Sequence, residues 1–108
     1  MQFIKDGDIY KVARITGVQD NILGVIFTNK LSEVEIVALK IDESKKIMAK
    51  PDDVLRQLFE GLAEICAELG KVYYLAKVFY LPNESSENSV YKILIRELVK
   101  KVDAGELN

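Results

Sequence analysis

Histidine and tryptophan are absent from this 108-residue sequence, and cysteine occurs once, as Cys66. Without histidine, the chain lacks the commonest general base of enzymes and the commonest ligand of transition metals. One cysteine can neither form an internal disulfide nor complete a zinc site of cysteine and histidine ligands. We therefore expect no metal site, and nucleophilic catalysis by a residue paired with histidine is excluded.

Long apolar runs and glycine-rich phosphate loops are also missing. No uninterrupted apolar stretch approaches the roughly 20 residues that cross a bilayer, and residues 1–8 lack the layout of a signal peptide. No glycine fingerprint of a nucleotide-binding loop occurs, so we expect no cofactor. The net charge of −2 gives no general attraction to nucleic acid or anionic membranes. These features predict a cytoplasmic protein that binds neither nucleic acid nor membrane.

The residues that are present have the composition of a globular protein. Hydrophobic residues make up 49% of the sequence and charged residues 30%, which is too apolar for intrinsic disorder. The length suits one hydrophobic core. We expect a single α+β domain over residues 1–108.

The first half of the sequence predicts four strands, and a fifth follows later. The four apolar segments are residues 2–5, 8–18, 22–28 and 33–41, and Asp6-Gly7 is a typical hairpin turn. Residues 22–28 show no polar alternation, which predicts a strand covered on both faces. Residues 71–81 are rich in Val, Tyr and Phe and predict the fifth strand.

A helix is predicted between Pro51, which suits a first helical turn, and Gly70, which suits a helix end. Its apolar residues fall on one stripe, which includes Cys66, so we expect this thiol to be buried and unreactive. Gly61 either marks the close approach of another backbone or has no structural role. The full stripe is Val54, Leu55, Leu58, Phe59, Leu62, Ile65, Cys66 and Leu69.

The last segment repeats apolar residues at helical spacing, with Lys100 and Lys101 in its final turn and Gly105 beyond. A helix is the favoured interpretation, and a sixth strand over residues 89–96 is the alternative. The order ββββαβα then predicts a mainly antiparallel sheet of about five strands, with two helices packed on one face.

Four polar residues are candidates for anchoring a small molecule. Lys77 and Arg14 are flanked by apolar neighbours on their predicted strands, where a cation needs a partner or a route to the sheet edge. A pocket between sheet and helices could use Arg14, Glu35, Tyr74 and Lys77 as polar anchors.

Two rows of like charge are candidates for an interaction surface. Glu60, Glu64 and Glu68 recur every fourth residue on the first helix, and Lys92, Arg96 and Lys100 do so on the last segment. The two ridges could pair with each other, pair between two copies of the chain, or remain separately solvated.

The fifth strand is apolar on both predicted faces, which alternate as Tyr74, Val78, Tyr80 and as Tyr73, Leu75, Phe79. One helical layer covers only one face, so the other needs a dimer partner or a curled sheet. We expect the dimer. The functional hypothesis is a non-catalytic protein-interaction or regulatory module, and the alternative is a small-molecule-binding domain, possibly an enzyme.

Overall fold

The computed structural model describes residues 1–15, 20–39, 51–81 and 90–107. The predicted order ββββαβα is confirmed, and the last segment is a helix. The segment between the fourth strand and the first helix lies largely outside the described residues. The elements are β1 (Gln2–Asp6), β2 (Ile9–Ile15), β3 (Asp20–Thr28), β4 (Glu35–Ala38), α1 (Pro51–Leu69), β5 (Tyr74–Tyr80) and α2 (Val90–Asp103).

The five strands form one sheet in the spatial order β1-β2-β3-β5-β4. Neighbouring strands are antiparallel except β4 and β5, which run parallel. Because parallel neighbours cannot be joined by a tight turn, the chain crosses between them through α1. The sheet is therefore mainly antiparallel, as the sequence predicts.

Both helices pack on the same face of this sheet. The buried strand residues of that face are Val12, Leu23, Val25, Leu75, Val78 and Tyr80, and they form one core with apolar residues of α1 and α2. Strand register agrees, because Val25 lies opposite Val78 and Leu23 opposite Tyr80. We call this the inner face and the opposite side the outer face.

A register shift between β3 and β5 corrects the predicted faces of the fifth strand. Phe27 pairs with Leu75 while Ile26 pairs with Lys77, so the extra residue Ala76 forms an irregularity of the bulge type. A bulge reverses the alternation of side chains along a strand. Leu75 therefore shares the inner face with Val78 and Tyr80, whereas Tyr74 does not.

The two helices approach closely at Gly61. A Cβ atom on Gly61 would lie 2.6 Å from Cγ2 of Ile95 and 2.7 Å from the carbonyl oxygen of Lys92. Of the two interpretations of Gly61, the structure therefore favours the close approach of another backbone, that of α2. Gln57 is buried on the same side of α1, and its Oε1 accepts a hydrogen bond from the N–H of Tyr91 at 3.1 Å, in the first turn of α2.

The buried stripe of α1 is consequently rotated from the predicted one. Gln57 and Gly61 are buried because α2 covers them, whereas Phe59 is exposed and Leu55 and Cys66 are only partly buried. The helix ends as predicted at Gly70, whose φ of 66° is left-handed, and Lys71 N–H donates to the Cys66 carbonyl at 3.2 Å. Neither described helix is long and apolar enough to cross a membrane.

Candidate interaction surfaces

The structure does not bring the four residues predicted to anchor a ligand into one pocket. Arg14 is two residues after Val12 on β2 and therefore lies on the inner face, opposite Asn21. Its side chain is exposed. Lys77 lies opposite Ile26, on the outer face. Arg14 and Lys77 therefore occupy opposite faces of the sheet and cannot serve one pocket.

Glu35 and Lys77, by contrast, are neighbours. They are register partners on β4 and β5, and Lys77 Nζ lies 3.6 Å from Glu35 Oε2. The same ammonium group lies 5.2 Å from the ring centre of Phe79, within the range of a cation–π contact. Lys77 is thus a half-exposed cation of the outer face with a carboxylate and a ring beside it. Tyr74, the fourth candidate, is the first residue of β5 and borders an apolar groove that is described below.

The outer face carries a group of apolar residues that is interrupted by two charged pairs. Its apolar residues are Ile4, Ile9, Ile22, Ile26, Val37 and Phe79, which the strand registers place on the side away from the helices. None of them belongs to the core or packs against it. Lys11 and Asp6 pair at 3.4 Å towards the β1 edge, and Lys77 and Glu35 pair towards the β4 edge.

Gly24 lies at the centre of this face, between Lys11 on β2 and Phe79 on β5. A Cβ atom there would lie 3.3 Å from Cγ2 of Ile9 and 3.5 Å from Cβ of Phe79. The side chains of neighbouring strands therefore close over the glycine. The middle strand therefore has no protruding side chain at this point, and the centre is bordered by Lys11 as well as by Ile9 and Phe79.

A separate apolar groove lies on the inner side of the sheet, on the flank of α1 that faces away from α2. Its cavity volume is about 280 Å³, and its lining includes Leu31, Val34, Phe59, Leu62, Cys66 and Val72. Leu31 is 84% exposed, Val72 69% and Phe59 49%, so half of the six exposed large apolar residues of the described chain are gathered here. Tyr73, Tyr74 and Leu75 line the β5 side of the groove.

Cys66 lines the groove, which corrects the expectation of a buried thiol. Its side chain is partly exposed, and its sulfur accepts a hydrogen bond from Tyr73 N–H at 3.4 Å. The predicted apolar stripe of α1 is close to the observed one at this residue, because Cys66 packs against the core. The groove itself was missed. Its one signal in the sequence was Leu31, an apolar residue between the predicted third and fourth strands.

The hydroxyl of Tyr73, the residue just before β5, connects the start of this strand to the end of α2. It donates to Asp103 Oδ1 at 2.8 Å, and Lys71 Nζ lies 2.7 Å from the same oxygen. The hydrogen bonds from Lys71 and Tyr73 hold the pKa of Asp103 below its ordinary value. Burial, together with the Asp103 carboxylate, raises the pKa of Tyr73 to about 12.

The two charged ridges face each other across the helix pair. Glu64 contacts both Lys92 and Arg96, and Arg96 also reaches Glu68 Oε2 at 2.6 Å. The hydrogen bond from Lys92 is the main cause of the lowered pKa of Glu64. The outer members pair within their own helices, Glu60 with Arg56 and Lys100 with Glu97. Four of the six ridge residues therefore already have partners in the other helix of the same chain.

The described residues contain no group of three potential metal ligands. Comparisons with protein-family models, with curated proteins and with solved structures find no match for this chain. A functional proposal therefore rests on the chemistry of the surfaces themselves.

Proposed function

We propose that this chain is a non-catalytic protein-interaction or regulatory module, and that it acts as a homodimer joined through the outer face of its sheet. The observation that carries the proposal is the apolar outer face, which neither helix covers. Antiparallel sheets can leave one face in water, but such faces are normally polar. Of the apolar residues on this face, Ile4 is exposed and the other five are partly exposed. Clustered apolar surface is typical of protein contacts.

The proposed occupant is a second copy of the chain because a two-fold dimer lets one apolar face cover its own copy. A two-fold axis that runs along β3 would bring the β1 edge of one copy over the β4 edge of the other. In this arrangement β1 lies over β4 and β2 over β5, so Asp6 faces Glu35 and Lys11 faces Lys77 of the other copy. The apolar residues, and not the charged pairs, would therefore hold the dimer together. Two sheets pack about 10 Å apart, a distance that side chains such as Phe79 and Ile22 fill.

The separation of the candidate polar anchors among the described residues supports a non-catalytic role. Arg14 and Lys77 lie on opposite faces of the sheet, and Lys77 is next to Glu35 on the open outer face and not within a cleft. Catalysis by acid–base groups needs them within reach of one substrate atom. Arg14 and Lys77 have no such common point, and the Lys77–Glu35 pair lies on an open surface.

The test replaces Phe79 with lysine and measures mass by light scattering and sedimentation. The wild type should be a dimer at tens of micromolar, and Phe79→Lys should be a monomer, because an unpaired charge is costly to bury in an interface. Ile93→Lys is the matched control, since Ile93 is an exposed apolar residue of α2 on the other side of the molecule. It should remain a dimer.

Circular dichroism of both variants checks that the fold is intact. A wild-type mass of 12.2 kDa at these concentrations would refute the dimer. A dimer that Phe79→Lys leaves intact and Ile93→Lys dissociates would move the interface to the helices.

A further inference from the structure

The apolar groove beside α1 is an unusual place for exposed hydrophobic residues. Leu31, Phe59 and Val72 come from three different segments of the chain, and all three remain at least 49% exposed around one cavity. Single exposed apolar residues are normal on soluble proteins, but a cluster around a concavity is typical of a binding site. The floor is firm, because the lining residues Leu62 and Leu75 belong to the buried core.

The size of the groove limits what can occupy it. Its volume of about 280 Å³ is nearly twice the cavity of about 150 Å³ that accommodates benzene. It lies just below the range, from about 300 Å³ upward, of pockets for drug-sized ligands. A ligand with one or two rings, or a short alkyl chain, therefore fits.

The lining chemistry limits the occupant further. None of the residues that line the groove is charged. Two of its polar groups already have partners in the fold, because the Tyr73 hydroxyl donates to Asp103 and the Cys66 sulfur accepts from Tyr73 N–H. A charged ligand would lose its hydration without gaining a counter-charge, which is costly.

We propose that this groove binds an uncharged, mainly apolar small molecule. The ligand lies between Phe59 and Cys66 of α1 on one side and Val72 with the start of β5 on the other. This site is on the inner side of the sheet and does not depend on the outer-face dimer.

The experiment titrates the full-length chain with prodan, an uncharged two-ring dye whose emission shifts to the blue in apolar surroundings. The wild type should bind one dye per chain. Ala63→Trp places a large side chain in the groove and should weaken binding at least tenfold. Ala67→Trp is the matched control, because Ala67 is also exposed on α1 but does not line the groove, and it should bind as the wild type does.

Competition tests the chemical class of the ligand. Octanol should displace prodan at concentrations at least tenfold lower than octanoate does. Val72→Lys introduces a cation at an exposed position of the rim and should reverse this preference towards octanoate. In addition, octanol should slow the alkylation of Cys66 by N-ethylmaleimide, a readout that does not use the dye.

Several outcomes would overturn the proposal. Equal dye binding by wild type and Ala63→Trp would place the dye elsewhere, and loss of binding in Phe79→Lys alone would place it on the outer face. Equal competition by octanol and octanoate would reject an uncharged ligand. If the wild type binds no dye and Ala63→Trp changes the mass of the assembly, the groove is a contact between copies and not a ligand site.

Discussion

Among the described glycines, Gly61 is the one at which an added methyl group would meet the shortest contacts. Alanine normally stabilises a helix by about 1 kcal/mol relative to glycine. At Gly61 the added Cβ would meet the Lys92 carbonyl oxygen at 2.7 Å and the Ile95 side chain at 2.6 Å. Since backbone atoms cannot move aside without shifting α2, we expect Gly61→Ala to lower the free energy of unfolding by roughly 0.5–2 kcal/mol.

Urea unfolding measures this change. Ala67→Gly, on the exposed side of the same helix, is the control for helix propensity alone and should cost up to about 1 kcal/mol. A Gly61→Ala variant more stable than the wild type would mean that the helices are further apart than the structure places them.

Gln57 acts at the same helix contact through a hydrogen bond. Its Oε1 accepts from the N–H of Tyr91, one of the donors in the first turn of α2 that have no acceptor within the helix. Gln57→Leu keeps the side-chain size but removes this acceptor, so we expect a loss of about 1–3 kcal/mol in unfolding free energy. Arg56→Leu, an exposed neighbour on α1, should change stability by less than about 1 kcal/mol. Equal effects in thermal unfolding would contradict the role of Gln57.

At the scale of elements, the contact between β5 and the end of α2 should depend on pH. The pKa of Tyr73 is raised from 10.0 to about 12 in the folded chain. The contribution of its neutral hydroxyl is therefore fully present below pH 10 and is lost between about pH 10 and 12, where the unfolded chain deprotonates first. The stability advantage of the wild type over Tyr73→Phe should shrink over this interval.

Denaturant unfolding from pH 8 to 11.5 tests the prediction, and Tyr74→Phe is the control next in sequence. Because Tyr80 and Tyr91 are present in both proteins, their own raised pKa values cancel in the comparison. A difference between wild type and Tyr73→Phe that stays constant over this interval would refute the coupling to Asp103.

The elements could be predicted from the sequence to different degrees. Pro51 and Gly70 are local signals and predicted the limits of α1 correctly. The bulge at Ala76 could not be predicted, because it exists only in the pairing of β5 with β3, and the predicted faces of Tyr74 and Leu75 were wrong as a result. The ridge pairing was one of the alternatives left open, since helical spacing places Glu64 and Arg96 on ridges but does not place the helices side by side.

At the scale of the whole molecule, the proposed surfaces do not overlap. The outer face lies on the side of the sheet opposite α1 and α2. The groove lies on the side of these helices, on the flank of α1 that faces away from α2. The charged network of Glu64, Arg96 and Glu68 occupies the seam between the helices. A dimer through the outer face would therefore leave the groove of each copy open. The two grooves would lie on opposite sides of the assembly, away from the interface.

Dimerisation also predicts how the thermal midpoint depends on protein concentration. A partner that binds only the folded chain stabilises it by mass action, by about 2.7 kcal/mol when the partner is at a hundred times the dissociation constant. The thermal midpoint of the wild type should therefore rise by several degrees when the protein concentration is raised about a hundredfold, from about 1 to about 100 micromolar. Phe79→Lys should unfold at one temperature over the same range, because it lacks the interface, whereas Ile93→Lys should keep the dependence. Scanning calorimetry and circular dichroism together cover these concentrations. A wild-type midpoint that does not change would show that folding and association are not linked, and the outer face would then be exposed in a stable monomer.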